Sequence, residues 1–487
     1  MKLMELLSAL PRAEAPPAGT DAEILRVSQD SRRIAPGDLF VAIRGFKDDG
    51  FAHVEEAIRR GAAAVVSERE PPAGVAVPWV HVSRARIALA RLAARLAGEP
   101  CEKLVTAGVT GTNGKTTTAL LLQALLARRF GSAGFVGTIG YGWGSKRLSA
   151  DRTTPDAALL QELLGRMVRE GIPAASLEVS SHALALDRVE GCRFDVAVFT
   201  NLTRDHLDFH GDMDAYFAAK KRLFDLRKPG APGVVNVSDP YGQRLAAEAP
   251  PPIVTYRSGE GSADFRAEAI ACDLSGTSFD LVAPRGRLPI RSSLLGRFNV
   301  DNLVAAAAAG ASLGMELADI GGALASVRRV PGRLEPIEAG QPYTILVDYA
   351  HTEDALRRLL LAVRELTDRK IILVFGCGGD RDRGKREPMG RIAGTLADFP
   401  IATSDNPRSE DPEAILDEVE AGLKASGATK YLRIADRREA LRAAIGLANP
   451  GTVVVIAGKG HETVQVIGDR EEPFDDRAIA AEMAAKA

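Results

Sequence analysis

Along this chain, short apolar runs alternate with longer stretches whose apolar residues recur every three to four positions. LVTAGVTG precedes KTTTALLLQALLARRF, and SAGFVGTI precedes PDAALLQELLGRMVRE; AASLEVSS, FDVAVFTN, the helical DAYFAAKKRLFDL and PGVVNVSD follow. Strand-length runs separated by 10–15-residue helical patterns predict a parallel α/β sheet. The rhythm lapses into polar, strand-like pieces after Asp239, resumes with an Ala-rich helix over 301–313, and returns from TILVDYAH onward. There the pattern predicts helices over 353–366, 386–397, 412–424 and 437–447, between IILVFGCGGD, PIATSDNP, YLRIAD and TVVVIAGKGHE. Before residue 98, DLFVAI (38–43) reads as a strand and 50–61 as a helix closed by Gly61. PGRLEP (331–336) breaks both periods and is a natural joint.

At about 150 residues per domain, 487 residues suggest roughly three domains. The pattern divides them as 1–98, 99–332 and 333–487. The fold class is therefore α/β: a small N-terminal domain, a central parallel-sheet domain with a phosphate loop, and a C-terminal domain of the same α/β rhythm. The net charge of −2, from 62 basic and 64 acidic residues, gives no basic face for nucleic acid. No apolar run approaches the roughly 18 residues that span a bilayer, and MKLMELLSALPRAEAPP is too acidic for a secretory signal. Four widely spaced cysteines fit a reducing compartment. A cytoplasmic monomer is expected.

The polar clusters sit where chemistry is expected. GTNGKTT, EVSSH, TNLTRDHLD, DYAH, GCGGDRD, SDNPR and AGKGHE each follow a strand, the edge at which open α/β sheets bind ligands. In Gly111-Thr112-Asn113-Gly114-Lys115-Thr116-Thr117, glycines let backbone N–H groups converge on phosphates at a helix N-terminus. Lys115 neutralises the β/γ-phosphates and Thr116 can ligate Mg²⁺, which together point to ATP. The strict motif would have glycine at 109; Val109 is there, so the loop is a shorter relative. Glu178 and His206 are candidate metal ligands. Lys220 lies three or four residues from Tyr216, Phe217, Leu223 and Phe224, on the apolar stripe of its helix. Buried there, its amine would be neutral and able to add CO2 as a carbamate; the alternative is a lysine that snorkels to solvent.

Together GTNGKTT, EVSSH, TNLTRDHLDFHG, AAK, GRFNVDN, PGRLE and DYAHT, in this order, resemble the Mur ligase family across most of the chain. The resemblance implies an N-terminal UDP-binding domain, a central ATPase domain and a C-terminal Rossmann-like domain that binds the amino acid, in an ATP-dependent amide ligase of peptidoglycan synthesis that works through an acyl phosphate. It makes Lys115, Lys220, Glu178 and His206 catalytic, with Lys220 carbamylated and serving with Thr116, Glu178 and His206 toward Mg²⁺. Asn302, Arg333 and Asp348 would contact ATP. Within the family, DSR followed by GDLFVAIRG, and the DNPR stretch, are similar to members that add meso-diaminopimelate to UDP-N-acetylmuramoyl-L-Ala-D-Glu. That similarity gives Ser31, Thr153, Thr154, Ser180 and Arg188 to the UDP-muramoyl dipeptide. It gives Arg381, Asp405, Asn406, Pro407, Arg408, Gly458 and Glu462 to diaminopimelate. An ion pair of Arg408 with Glu410 or Asp411 is the bland reading of that loop. A lysine-adding ligase, a folylpolyglutamate synthase, the next Mur enzyme of the pathway, a motor-like NTPase and an inactive nucleotide-binding regulator are the rivals. DSR with DNPR argues against the second and third, and the Lys115, Glu178, His206 and Lys220 set against the last.

Overall fold

The computed structural model describes residues 1–10, 21–45 and 48–486; part of the opening stretch weighed as a leader, 11–17, lies outside them. The chain forms two compact units: Met1–Arg266 with Val282–Leu288 and Asp301–Leu324, and Ala267–Leu281 with Pro289–Val300 and Ala325–Ala487. The first unit holds two sheets and the second a third, which gives a three-domain α/β architecture.

The N-terminal sheet consists of β1 (Arg26–Ser28), β2 (Asp38–Ala42), β3 (Ala64–Ser67) and β4 (Trp79–His81), parallel and in sequence order. β2 is buried throughout, as a parallel strand covered on both faces must be. Leu89 and Leu92 of helix Ala85–Leu96 pack with Leu39 and Val41, whereas Val54 and Ala57 pack with Phe40 and Val65. The helix expected over 50–61 divides into a 3-10 turn, Gly50–His53, and helix Val54–Arg59, because Asp49 caps the tight turn at the Phe51 N–H.

The central sheet carries β5 (Val105–Thr110), β6 (Gly134–Gly137), β7 (Gly140–Trp143), β8 (Lys146–Leu148), β9 (Ala174–Glu178), β10 (Val196–Phe199), β11 (Gly233–Asn236) and β12 (Ile253–Ser258). Their order is β12-β11-β10-β5-β9-β6-β7-β8. All pairs from β12 to β6 are parallel, but β6-β7 and β7-β8 are antiparallel. The sheet is thus mixed, not wholly parallel as the pattern predicts. Only Thr138 and Ile139 separate β6 from β7, far too few for the crossover a parallel neighbour needs, and Gly140 takes φ 129° to make the turn. The chain leaves β5 toward β9 and β6 on one side and later fills β10 to β12 on the other. The loop after β5 therefore lies at a topological switch point. Strands β13 (Phe265–Asp273), β14 (Gly276–Ala283) and β15 (Gly286–Ser292) and helix Arg297–Ser312 follow.

The third sheet runs β16-β17-β21-β18-β19-β20, from β16 (Glu335–Ile337), β17 (Thr344–Asp348), β18 (Lys370–Cys377), β19 (Phe399–Ser404), β20 (Leu432–Arg433) and β21 (Thr452–Ala457). Only β16 is antiparallel to its neighbour. Two apolar cores, one on each face, bury it: Leu346, Leu373 and Val455 face one, Val347, Val374 and Ile456 the other. Helices Glu353–Leu366 and Arg437–Leu447 begin and end where the periodicity puts them. A hairpin, β22 (Val464–Ile467) and β23 (Arg470–Pro473), closes the segment after β21.

Candidate active site

In the first unit, the loop between β5 and helix Lys115–Phe130 turns on Gly111 (φ 153°) and Gly114 (φ 84°). A Cβ on Gly111 would fall 1.8 Å from Thr200 Oγ1, and one on Gly114 would fall 2.4 Å from Asn302 Oδ1, so only glycine fits at either place. The loop after β10 holds this loop in shape. Thr112 N–H donates to Asn201 O and Asn113 N–H to Asn201 Oδ1, both at 2.9 Å, and Thr200 Oγ1 donates to Asn113 O at 2.6 Å. Two of the N–H groups expected to face phosphate are thus engaged with Asn201. The first intrahelical bond is Thr118 N–H to Gly114 O, so the N–H groups of Lys115, Thr116 and Thr117 precede it at the positive end of the helix dipole.

Two lysines converge on one carbonyl here. Lys115 Nζ donates to Gly111 O at 2.9 Å and Thr112 O at 2.8 Å, and Lys220 Nζ donates to Gly111 O at 2.7 Å. Lys220 is 1% exposed and lies 4.6 Å over the Tyr216 ring, so it does not snorkel. Lys221, its neighbour, reaches Glu248 at 2.8 Å instead. Two ammonium groups sharing an acceptor are no more than about 6 Å apart, where like charges cost about 3 kcal/mol even at an effective dielectric of about 20. Burial first, and then the charge of Lys115, hold the Lys220 amine well below the usual lysine range. The amine is therefore suited to be a nucleophile.

Beside it, the Glu178 carboxylate at the end of β9 is buried and accepts from Thr116 Oγ1 (2.9 Å), Thr138 N–H (2.8 Å) and Thr138 Oγ1 (3.1 Å). At least three of about four lone-pair positions on the carboxylate are used. A hydroxyl and a carboxylate oxygen, both hard donors, make a pair that fits Mg²⁺. His206, at φ 53°, stacks edge-on against His182 with centroids 4.8 Å apart. Burial lowers both imidazoles, His182 to about 4, so His206 is neutral and able to ligate. Among the described residues no group of three or more His, Cys, Asp or Glu side chains converges as a metal cage. Asn302 accepts from Thr118 Oγ1 at 3.2 Å, beside Gly114.

The residues expected to meet the muramoyl dipeptide surround the same strand end. Thr153 Oγ1 lies 3.0 Å from Thr138 Oγ1; Thr154 Oγ1 donates to Glu178 O at 2.7 Å and accepts from Ser180 N–H at 3.0 Å. Arg188 donates to Thr154 O at 3.1 Å, and burial pulls its guanidinium down to about 10. Ser31 lines a cleft of about 1180 Å³ together with Arg26, Arg32, Tyr141, Arg152 and Asp156.

In the second unit, the loops after β17, β18, β19 and β21 carry the remaining residues. Asp348 accepts from the N–H groups of Leu334 and Ala350, both at 2.8 Å, and burial raises its carboxyl. Arg333 lies 5.2 Å over the Tyr349 ring. Arg408 takes φ 52° and donates to Gly379 O at 2.8 Å; Glu410, its bland alternative partner, is bound by Arg386 at 2.8 Å. Asn406 Nδ2 donates to Glu462 Oε2 at 3.1 Å. Gly458 (φ 115°) has its N–H on Asp348 O at 3.2 Å, which ties the β21 loop to the β17 loop. Arg381 is exposed on the loop after β18, and a Cβ on Gly378 would stand 3.8 Å from its Cγ and 3.0 Å from Arg408 Nη1.

Comparison with known proteins decides the family. Three domain models match in order: "Mur ligase family, catalytic domain" over 23–96, "Mur ligase middle domain" over 109–310, and "Mur ligase, glutamate ligase domain" over 332–460. The chain belongs to the Mur ligase family. It is similar to the UDP-N-acetylmuramoyl-L-alanyl-D-glutamate–2,6-diaminopimelate ligase of Geobacillus kaustophilus, at 47% identity over 99% of this chain and 98% of that one. Its similarity to the Geobacter metallireducens protein of the same name is 45% over the same shares. A solved structure of a ligase of that name superposes with a TM-score of 0.74 at 36% identity, covering 100% of this chain and 99% of the other.

Sequence reasoning missed several residues of this Mur ligase site. Thr138, which holds both Glu178 oxygens, lies in a glycine-rich turn without a motif. Asp187 is almost fully buried and bridges Arg84 and Arg222 beneath Leu184; its partners are remote in sequence, and no local signal marks it. Lys459 is wholly buried, although Gly-Lys-Gly was a visible signal.

Proposed function

We propose that the chain joins meso-diaminopimelate to the D-glutamate γ-carboxylate of UDP-N-acetylmuramoyl-L-Ala-D-Glu, with ATP converted to ADP and phosphate, in peptidoglycan synthesis. The likeness to diaminopimelate ligases over 98% of their length is the observation that carries it. The site supports it. A carboxylate does not accept an amine until its oxygen becomes a leaving group. The γ-carboxylate oxygen attacks the γ-phosphorus, ADP leaves, and an acyl phosphate forms; the amine then attacks its carbonyl carbon, loses a proton, and phosphate departs. Lys115 and the helix N-terminus neutralise the charge that grows on the phosphoryl oxygens. Asn302, Arg333 and Asp348 orient ATP. Ser31, Thr153, Thr154, Ser180 and Arg188 hold the UDP-muramoyl dipeptide. Magnesium, when bound, supplies further charge neutralisation; Thr116, Glu178, His206 and Lys220 as its carbamate are the residues that would hold it. Lys220 gains that carbamate when its neutral nitrogen bonds the carbon of CO2 and releases a proton.

The incoming amino acid is read from the second unit. Diaminopimelate differs from lysine by a distal carboxylate, which the Arg408 fork pairs bidentately. Asp405, Glu462 and the Gly458 turn face its ammonium end, and Arg381 closes on it from the exposed loop. Lysine leaves Arg408 without its anion, a loss of about 10- to 100-fold. The domain limits are placed at 98/99 and 332/333. Among the described residues no helix is long and apolar enough to cross a membrane; the reaction is placed in the cytoplasm, where ATP is, and one chain supplies every group named.

Phosphate release tests the reading, with ATP and the UDP-muramoyl dipeptide plus diaminopimelate, lysine or neither. Release is expected with diaminopimelate alone. Equal rates with lysine would overturn the specificity and keep the ligase; equal rates with no amino acid would overturn the ligase.

A further inference from the structure

The Gly-Lys-Gly turn after β21 resembles a phosphate loop in sequence, but it is built to send its lysine inward. Gly458 and Gly460 take φ 115° and 54°, and a Cβ on Gly460 would stand 2.8 Å from the Tyr349 Cα. Lys459 is 0% exposed, too deep to touch a bound molecule. Its Nζ donates to Asn406 Oδ1 at 3.0 Å and Glu462 Oε2 at 3.1 Å, and lies 3.7 Å from Asp405 Oδ1.

These contacts fix the neighbours. Asn406 Oδ1 also accepts from Val466 N–H at 3.0 Å, so both of its lone pairs are taken and the amide cannot flip. Its Nδ2 is thereby aimed at Glu462 Oε2. Gln465 Nε2 donates to Asp405 O at 2.7 Å, and Arg408 N–H donates to Val466 O at 3.0 Å, so the whole 405–408 loop is stitched to the segment that follows Lys459. Asp405 Oδ1 is buried and has no hydrogen-bond partner. The other buried cation nearby, Arg437, is already neutralised by Asp476 at 2.7 Å. Lys459 against Asp405 and Glu462 leaves one negative charge in excess, which an incoming ammonium group cancels. Without Lys459 the excess would be two, and Asn406 would be free to turn.

We propose that Lys459 is the positioning residue of the amino-acid subsite: it touches no substrate, and it sets the orientation of Asn406, Glu462 and Asp405 toward the ammonium group of the incoming diamino acid. The inference rests on the reading of this loop cluster as the diaminopimelate site.

The test is phosphate release by Lys459→Met and Lys459→Gln with diaminopimelate, ATP and the UDP-muramoyl dipeptide each varied in turn, alongside thermal unfolding. Lys459→Met is expected to raise KM for diaminopimelate about 10- to 100-fold, with the other two KM values within about twofold. Lys459→Gln, which still donates to Asn406 Oδ1, is expected to fall between. An unchanged diaminopimelate KM overturns the proposal. So does a parallel rise in all three KM values, or failure of both variants to fold, because each assigns Lys459 a purely structural role. If the wild type prefers another diamino acid, the specificity reading fails, and the same ratio is measured with that amino acid, so the two failures remain separate.

Discussion

Lys220 and Lys459 are both buried to 1% exposure or less, one at each candidate site, and their surroundings make them opposites. Lys459 has carboxylates at 3.1 and 3.7 Å. Lys220 has a carbonyl, an aromatic face and a second lysine, and no carboxylate within ion-pair distance among the described residues. Removing an ion from water costs several kcal/mol, which only close opposite charge and full hydrogen bonding offset. Lys459 has two acids and the Asn406 amide oxygen around its amine. In Lys220, burial and the charge of Lys115 hold the amine well below the usual lysine range. Burial alone therefore says little about what a lysine does; its partners decide.

The sharpest way to break this contrast is at the phosphate loop. Lys115→Ala is expected to lower turnover at least about 10³-fold in a folded protein, because the charge it meets grows most in the transition state. Lys220→Ala is expected to lose a comparable factor, and Lys221→Ala, which removes only a surface pair with Glu248, no more than about twofold. Turnover assays of the three variants check this, and equal losses at 220 and 221 would remove the carbamate. Arg408→Ala is expected to raise the diaminopimelate KM about 10- to 100-fold and leave the ATP KM unchanged; steady-state kinetics with each substrate varied would reveal any shared effect.

Stability should separate the two lysines more gently. Lys459→Met leaves Asp405 and Glu462 uncompensated and is expected to cost about 3 kcal/mol in urea unfolding. Lys220→Met removes no ion-pair partner and should cost less. Lys220 is held well below its ordinary range when folded, so in the window between that lowered value and about 10.4 the unfolded chain binds the extra proton. Wild-type stability should then rise with pH in bicarbonate-free buffer, by up to about 1.4 kcal/mol per unit, and Lys220→Met should lack that slope. Parallel curves for the two proteins would show that Lys220 is charged in the folded state.

Much of this was legible before any fold was known. An apolar run with Gly-Lys-Thr-Thr after it is a strand followed by an anion-binding helix start, because few other arrangements use those residues. Lys220 faces inward because helical spacing puts it beside Tyr216, Phe217, Leu223 and Phe224, and the structure buries it among them. Strand-end placement of EVSSH, DYAH and SDNPR follows from the same two periods. The family resemblance extended this to roles, and the matched domain models bear the family out.

Tertiary structure alone decided the rest. Periodicity reports which face of an element is apolar, not what lies across from it. It could not show that Lys115 and Lys220 share the Gly111 carbonyl, since the fold brings Lys220 to an acceptor 109 positions away. Nor could it show that Asn201 occupies two phosphate-loop amides, or that β7 and β8 turn the sheet edge antiparallel. Gly-Lys-Thr and Gly-Lys-Gly look alike along the chain. One lysine bends back over a loop at a helix start; the other lies inside beside Asp405 and Glu462, in a turn whose second glycine packs its backbone against Tyr349. The charge environment of a side chain is a sum over neighbours from many segments, and that sum exists only once the sheets are assembled.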